Sequence, residues 1–401
     1  MDFTSMSGER LEKELIDSVV TSEVIQPEEM EDAQDAQIER EERGPGRHTS
    51  LKIFFISSHL VPTDIKDALP RIAEKNARAK TFLSNYGLKI EEKENGYYVL
   101  TLKWLEYNRD LNFLIKVRGD YWKILTAERM HYVRLSLLRL IDLLEEVDIV
   151  WEERKTLDKV VRELIADDSI NGFISKRETF ASNRRVTIMV YGGTSTDLEK
   201  ARDSFDSEPT RIYFSKHNSP DAAIVGSVVA YPGFLSIDRI LPQSRDEFIS
   251  IDNKITERFE NDYKSRFAGL NDNDMIVLEN NDSTYATILP KFRVVSAEFP
   301  SRNWSIESIL NSIKGLLLEG SRNGESRYLG YRWIGEHSYI LHDTEFGGTI
   351  QLRVDEKNHR VLLNSIGKSP PKLLADLVEL MLERIEPGIS IRSFERSGEW
   401  A

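Results

Sequence analysis

Between Leu88 and Leu125 the chain holds four short runs of strand character, and their spacing constrains the fold more than any other feature. The runs are Leu88 to Lys93, Tyr97 to Leu105, Leu111 to Val117 and Tyr121 to Leu125. Glu94-Asn95-Gly96, Tyr107-Asn108-Arg109-Asp110 and Gly119-Asp120 lie between them as turn signals. Alternation along the second run puts Tyr98, Leu100, Leu102 and Trp104 on one face and Val99, Thr101 and Lys103 on the other. Such a pattern fits an antiparallel meander with one face packed on helices. Those helices are legible on either side. Leu51 to Ser57 reads as a strand, and Asp64 to about Tyr86 reads as a helix through Ile65, Leu69, Ile72, Ala79, Phe82 and Leu83, with Pro70 inside it and Gly87 as its C-cap. Thr126 begins another helix, with Met130, Val133, Leu137, Ile141 and Leu144 on its buried stripe. The order is β-α-β-β-β-β-α.

The C-terminal end reads the same way. Phe292 to Phe299 is a strand, Ser305 caps a helix over Ile306, Ile309, Leu310, Ile313 and Leu317, and four strand runs follow from Arg327 to Ile366. A last helix carries Leu374, Leu377, Met381 and Ile385. In element order both units resemble the TATA-binding-protein family and, less closely, helix-grip ligand-binding folds. The second resemblance implies a small-molecule pocket between a meander and its long helix.

Between the two units, Asp148 to Trp151, Leu157 to Ile165, Gly172 to Lys176, Arg185 to Tyr191, Thr196 to Phe205 and Thr210 to Ser215 give β-α-β-β-α-β, the ferredoxin-like order. A hairpin and a long helix follow, the helix striped by Phe248, Ile251, Ile255, Phe259, Tyr263 and Phe267. The expected fold class is therefore α+β, two βαββββα units flanking a ferredoxin-like module. The expected divisions are an acidic flexible tail over 1–49, a βαββββα domain over 50–147, the ferredoxin-like module with its hairpin and helix over 148–270, and a second βαββββα domain over 271–401.

The net charge of −13 is uneven. Residues 1–49 hold fourteen Asp and Glu against five Lys and Arg, so the tail carries −9 and the remainder only −4. Within the tail, Leu11, Leu15 and Val19 recur at helical spacing and form a candidate partner-binding face.

The chain has no cysteine, which excludes disulfides, thiolate metal sites and cysteine nucleophiles. It shows no signal-peptide pattern and no apolar run of bilayer length, so a cytoplasmic location without membrane contact is expected. No phosphate-binding glycine loop, nucleophile elbow or zinc-helix motif occurs. No metal and no cofactor is expected.

What remains is surface chemistry. The polar face of the first meander gathers Lys103, Lys116, Arg118, Tyr121 and Lys123, and that of the second gathers Arg332, Arg353 and Arg360. Cations neutralise phosphates and aromatic rings stack on bases, so these faces are candidate nucleic-acid surfaces. A non-enzymatic binding or adaptor protein is the favoured function, with a protein as the first expected partner and nucleic acid as the second. The sequence leaves oligomeric state open. The alternative is a Mg²⁺-dependent nuclease using Asp343, Asp355 and Lys357, whose order echoes an acidic residue followed by a carboxylate and lysine.

Overall fold

A computed structural model describes residues 3, 5–20, 50–165, 169–179, 184–205, 208–219, 222–267, 275–278, 287–290, 293–299, 304–319, 328–335, 338–344, 348–355, 359–366, 372–386 and 388–395. The fold is mixed α+β, built on antiparallel sheets. Contacts divide the chain into two compact units, residues 1–176 with 187–260, and residues 177–186 with 261–401.

The first sheet is built on the predicted meander. Strands β1 (Leu51–Ser58), β2 (Tyr86–Glu92), β3 (Tyr97–Trp104), β4 (Arg109–Arg118) and β5 (Tyr121–Thr126) lie in the order β2-β3-β4-β5-β1. Helix α1 (Gly8–Asp17) precedes them, while α2 (Ile65–Ala73) and α3 (Ala77–Asn85) connect β1 to β2. The single helix expected over 64–86 is thus two. The break lies not at Pro70 but at Asn76, whose side chain accepts from the backbone N–H groups of Arg78 and Ala79 at 2.8 and 3.3 Å and so caps a new helix. Helix α4 follows β5 and runs through a π-turn (Met130–Val133, Arg134–Leu138, Arg139–Leu143).

One face of this sheet packs on α2, α3 and α4 through Phe54, Ile56, Leu69, Phe82, Leu100, Phe113, Trp122, Leu137 and Ile141, all buried in one cluster. Residues of the opposite parity point to a second helix layer. There Phe55 of β1 stacks on Phe259, ring centroids 4.9 Å apart. Phe259 belongs to α7 (Arg245–Phe267), the long striped helix of the sequence.

Beyond β1 the sheet continues through β11 (Phe234–Ile240), β10 (Ala222–Val229), β9 (Pro209–Ser219), β7 (Ile170–Thr179) and β8 (Arg184–Tyr191). Strand β6 (Val147–Ile149) pairs with β1 through Ile149 and Ile56. In a ferredoxin-like module the first strand would pair with the module's other strands; here β6 lies in the same sheet as β7, β8 and β9 but pairs with β1, beyond β10 and β11. Beside β7, β8 and β9 come α5 (Leu157–Leu164) and α6 (Ser195–Phe205). Gly172 of β7 has φ 150°, and a Cβ there would lie 2.5 Å from the Val190 carbonyl oxygen, so only glycine lets β7 and β8 approach here.

In the second unit, β12 (Met275–Leu278) pairs with β13 (Thr287–Pro290). A separate sheet has the order β15-β16-β17-β18-β14-β19, from β14 (Arg293–Glu298), β15 (Tyr328–Gly335), β16 (Ser338–Asp343), β17 (Thr349–Asp355), β18 (Arg360–Ile366) and β19 (Ser390–Glu395). Helix α8 (Ile306–Glu319) links β14 to β15, and α9 (Lys372–Arg384) links β18 to β19. Ser305 caps α8 by accepting from the Ser308 N–H at 3.1 Å. Among the described residues, no helix is long and apolar enough to cross a membrane.

Candidate functional site

The site begins in the N-terminal segment. Ser7 accepts from the Arg10 N–H at 3.4 Å and starts α1, which buries Gly8, Leu11, Leu15 and Ile16, with Val19 just beyond. A ten-residue helix is shorter than the roughly 12 to 15 residues that sustain a helix alone in water, so packing on the sheet holds it. The segment then joins the sheet by its backbone, the Ile240 N–H donating to the Val19 carbonyl at 2.9 Å. Residues 7–20 of the expected flexible tail are thus docked on unit 1, because their apolar stripe finds a sheet face to cover. Residues 21–49 lie outside the described residues.

That face is the predicted basic one. Glu12 sits on the buried stripe of α1 and accepts from the Tyr97 hydroxyl and from Lys116 Nζ, the latter at 3.0 Å. Lys123 Nζ lies 3.5 Å from the other Glu12 oxygen and forms an ion pair with Asp252 of α7. Burial pushes the Glu12 carboxyl up, but Lys123, Tyr97 and Lys116 together outweigh it and hold it below the ordinary carboxylate range. At Asp252 burial wins over Lys123 and the carboxyl is raised. Its Oδ1 has no hydrogen-bond partner among the described residues. Burial and the Glu12 carboxylate likewise raise Tyr97.

Around this centre Asn95 donates to Glu9 at 3.0 Å and Arg245 donates to Asp17 at 2.8 Å. At the far side Arg118 lies 3.8 Å from Glu260, while Tyr121 is pushed up to about 12 by burial, Glu260 and Asp120. Of the predicted surface residues in unit 1, Lys116, Lys123 and Arg118 therefore meet acidic groups of α1 or α7, Tyr121 feels the charge of Glu260, and Lys103 is exposed at the end of the face. Leu11, Leu15 and Val19, the predicted partner face, are buried within the chain.

The arrangement holds an acidic amphipathic helix on a basic sheet face by charge, hydrogen bonds and apolar contact together. No protein-family model matches the chain. No curated protein matches it either.

Unit 2 places its candidates differently. Arg353 is exposed on β17, Arg360 donates to Asp355 at 2.8 Å, and the Arg332 backbone pairs with Ile340. Asp343 is fully buried at one end of β16, where its N–H donates to the Gly348 carbonyl at 2.9 Å. Asp355 stands seven residues along from Gly348 at the other end of β17, about 23 Å away at the rise of a strand. Lys357 lies outside the described residues. The two carboxylates of the nuclease alternative are not brought together. Among the described residues, no group of three or more His, Asp or Glu is placed to hold a metal ion.

Glu12 and Asp252 are the site residues that sequence reasoning missed. Each lies on an apolar stripe at helical spacing, Glu12 with Gly8, Leu11 and Leu15, Asp252 with Phe248, Ile255 and Phe259. A carboxylate on a buried stripe requires a buried cation or donor, and that was the available signal.

Proposed function

We propose that the protein is a non-enzymatic binding protein whose β3–β5 face receives an acidic amphipathic helix of a partner protein, with α1 occupying that face until the partner exchanges for it. The observation that supports this reading is Glu12 of α1 seated between Lys116, Lys123 and Tyr97, beside the buried side chains of Leu11 and Leu15. The acidic segment is then a regulator of the face.

Connectivity supports the exchange as well. Val20 bridges Ile240 of β11, and Leu51 pairs with Ile237 of the same strand, three residues away. The 29 residues numbered 21–49 join points about 10 Å apart, while a chain of that length reaches up to roughly 100 Å. Helix α1 can therefore leave the face with no strand of the sheet breaking. A partner helix carrying a carboxylate on its apolar stripe would meet the same two lysines and the same tyrosine.

The test uses the full chain with Glu12→Lys, which sets a cation against Lys116 and Lys123 and ejects α1. A labelled synthetic peptide of residues 5–20 is added in trans. The proposal expects the variant to bind the peptide in a salt-sensitive way and the unaltered chain to bind at least tenfold more weakly. Binding of single-stranded DNA but not of the peptide by the variant would replace the protein partner with nucleic acid. Binding of neither would refute an exchangeable face.

A further inference from the structure

Tyr97 of β3, Lys116 of β4 and Lys123 of β5 stand opposite one another in the strand register and form a row across the face that α1 covers. Glu12 meets all three. Tyr97 touches α1 at a second point, one helical turn earlier. A Cβ on Gly8 would lie 2.2 Å from Tyr97 Cβ, 2.3 Å from its Cγ and 2.8 Å from its Cδ2. The Tyr97 side chain thus runs along the helix, its base against Gly8 and its hydroxyl donating to Glu12. Four residues of α-helix rise about 6 Å, which is the scale of a tyrosine side chain from Cβ to hydroxyl.

Tyr97 has no ready way to turn aside. It is 3% exposed, its hydroxyl is held by Glu12, and the Lys116 ammonium sits 4.9 Å from the centre of its ring. Its Cβ stands on a strand paired on both sides, to β2 and to β4, so the contact at Gly8 falls on an atom that no rotamer change moves. A helix bringing a larger residue to this point must lift from the face. Lifting draws its carboxylate away from Tyr97, Lys116 and Lys123 together, and charge-assisted hydrogen bonds weaken with that separation. Leu11 and Leu15 are buried as well, but any amphipathic helix offers such apolar contact. Discrimination between helices therefore falls to Tyr97.

We propose that Tyr97 selects the helix that the β3–β5 face accepts, by requiring a glycine four residues before the acidic residue, in the pattern Gly-x-x-Leu-Glu-x-x-Leu that Gly8, Leu11, Glu12 and Leu15 display. This rests on the exchange proposed for that face and names the sequence class of the partner helix. It also fixes the helix direction. A helix laid the other way would set its carboxylate-bearing residue against Tyr97 Cβ and its glycine at the hydroxyl, losing both contacts.

The test uses the full chain with Glu12→Lys, which ejects its own α1, and labelled peptides of residues 5–20 followed by fluorescence anisotropy. The peptide with the native Gly8 should bind at least tenfold more tightly than the peptide with Gly8→Ala, although alanine is the better helix former. Adding Tyr97→Phe to the chain should keep that ratio, since the base of the ring remains, and should reduce the preference for the native peptide over one with Glu12→Gln. Adding Tyr97→Ala instead should bring the ratio of the glycine and alanine peptides to one or below, with an unchanged urea midpoint showing that the sheet is intact. Equal binding of the two peptides by the Glu12→Lys chain, or a ratio that Tyr97→Ala leaves as it was, would overturn the selection while the exchangeable face stands. Binding of neither peptide would overturn the exchange and the selection with it.

Discussion

The ammonium of Lys123 and the carboxylate of Asp252 meet where each side chain is only 4% exposed, joining strand β5 to helix α7. A buried pair is poor evidence of net stability, since the desolvation of both charges offsets much of their attraction, yet removing one partner strands the other. Lys123→Met should therefore destabilise the first unit by about 3 to 5 kcal/mol, read from urea unfolding. Adding Asp252→Leu to Lys123→Met should recover most of the loss. A double variant as unstable as the single one would show that the pair is needed for more than mutual neutralisation.

Gly8 gives a prediction opposite in sign to helix propensity. Alanine is favoured over glycine inside helices by about 1 kcal/mol, but here an added Cβ would lie 2.2 Å from Tyr97 Cβ, at the stiff base of that side chain. Gly8→Ala should loosen α1, measured as faster amide exchange over residues 11–18 with the exchange of β4 unchanged. Slower exchange would mean that Tyr97 yields at little cost.

The pH dependence of docking follows from Glu12. Its carboxyl in the docked state titrates below the ordinary carboxylate range, because Lys123, Tyr97 and Lys116 together outweigh the effect of burial. A lowered folded-state pKa gives stability that is fully present above the unfolded value and is lost as pH falls through the folded one. The hold on α1 should thus be constant from neutral pH down to about 4.5 and weaken below it. Glu12→Gln should lower the hold at neutral pH and flatten this acid-side slope, followed by exchange of α1 amides from pH 3 to 7. A slope unchanged in the variant would assign it to another group.

Much of this was legible in the sequence. The alternation Tyr98, Leu100, Leu102 against Val99, Thr101, Lys103 separated the two faces of β3, because successive side chains of a strand point to opposite sides; Tyr98, Leu100 and Leu102 join the core on the α2–α4 side, while Val99 on the other face is buried too. The stripe Leu11, Leu15, Val19 likewise announced a face to be covered. What covers it was not legible, since Ile240 and Tyr97 lie more than 70 residues away and long-range pairing leaves no local mark. Pairing explains β6 in the same way. Asp148 to Trp151 reads as the first strand of the module that follows it, and only the register of Val147–Ile149 with Ile56 and its neighbours assigns the strand to β1. The basic residues were placed on the correct side of the sheet, but their partners Glu12 and Asp252 passed unnoticed because composition counts a carboxylate as surface wherever it falls.

If α1 is an exchangeable occupant of the β3–β5 face rather than an inseparable part of the first unit's core, it should open before the sheet does. Native-state hydrogen exchange of the full chain across a series of low urea concentrations tests it most directly. Amides of residues 11–18 should open with a clearly smaller free energy than those of β4, and Glu12→Lys should remove their protection while β1, β4 and β10 keep theirs. If the α1 amides exchange with the same free energy as β4, so that both are released only by global unfolding, the helix is a permanent part of the fold and the proposed exchange is contradicted.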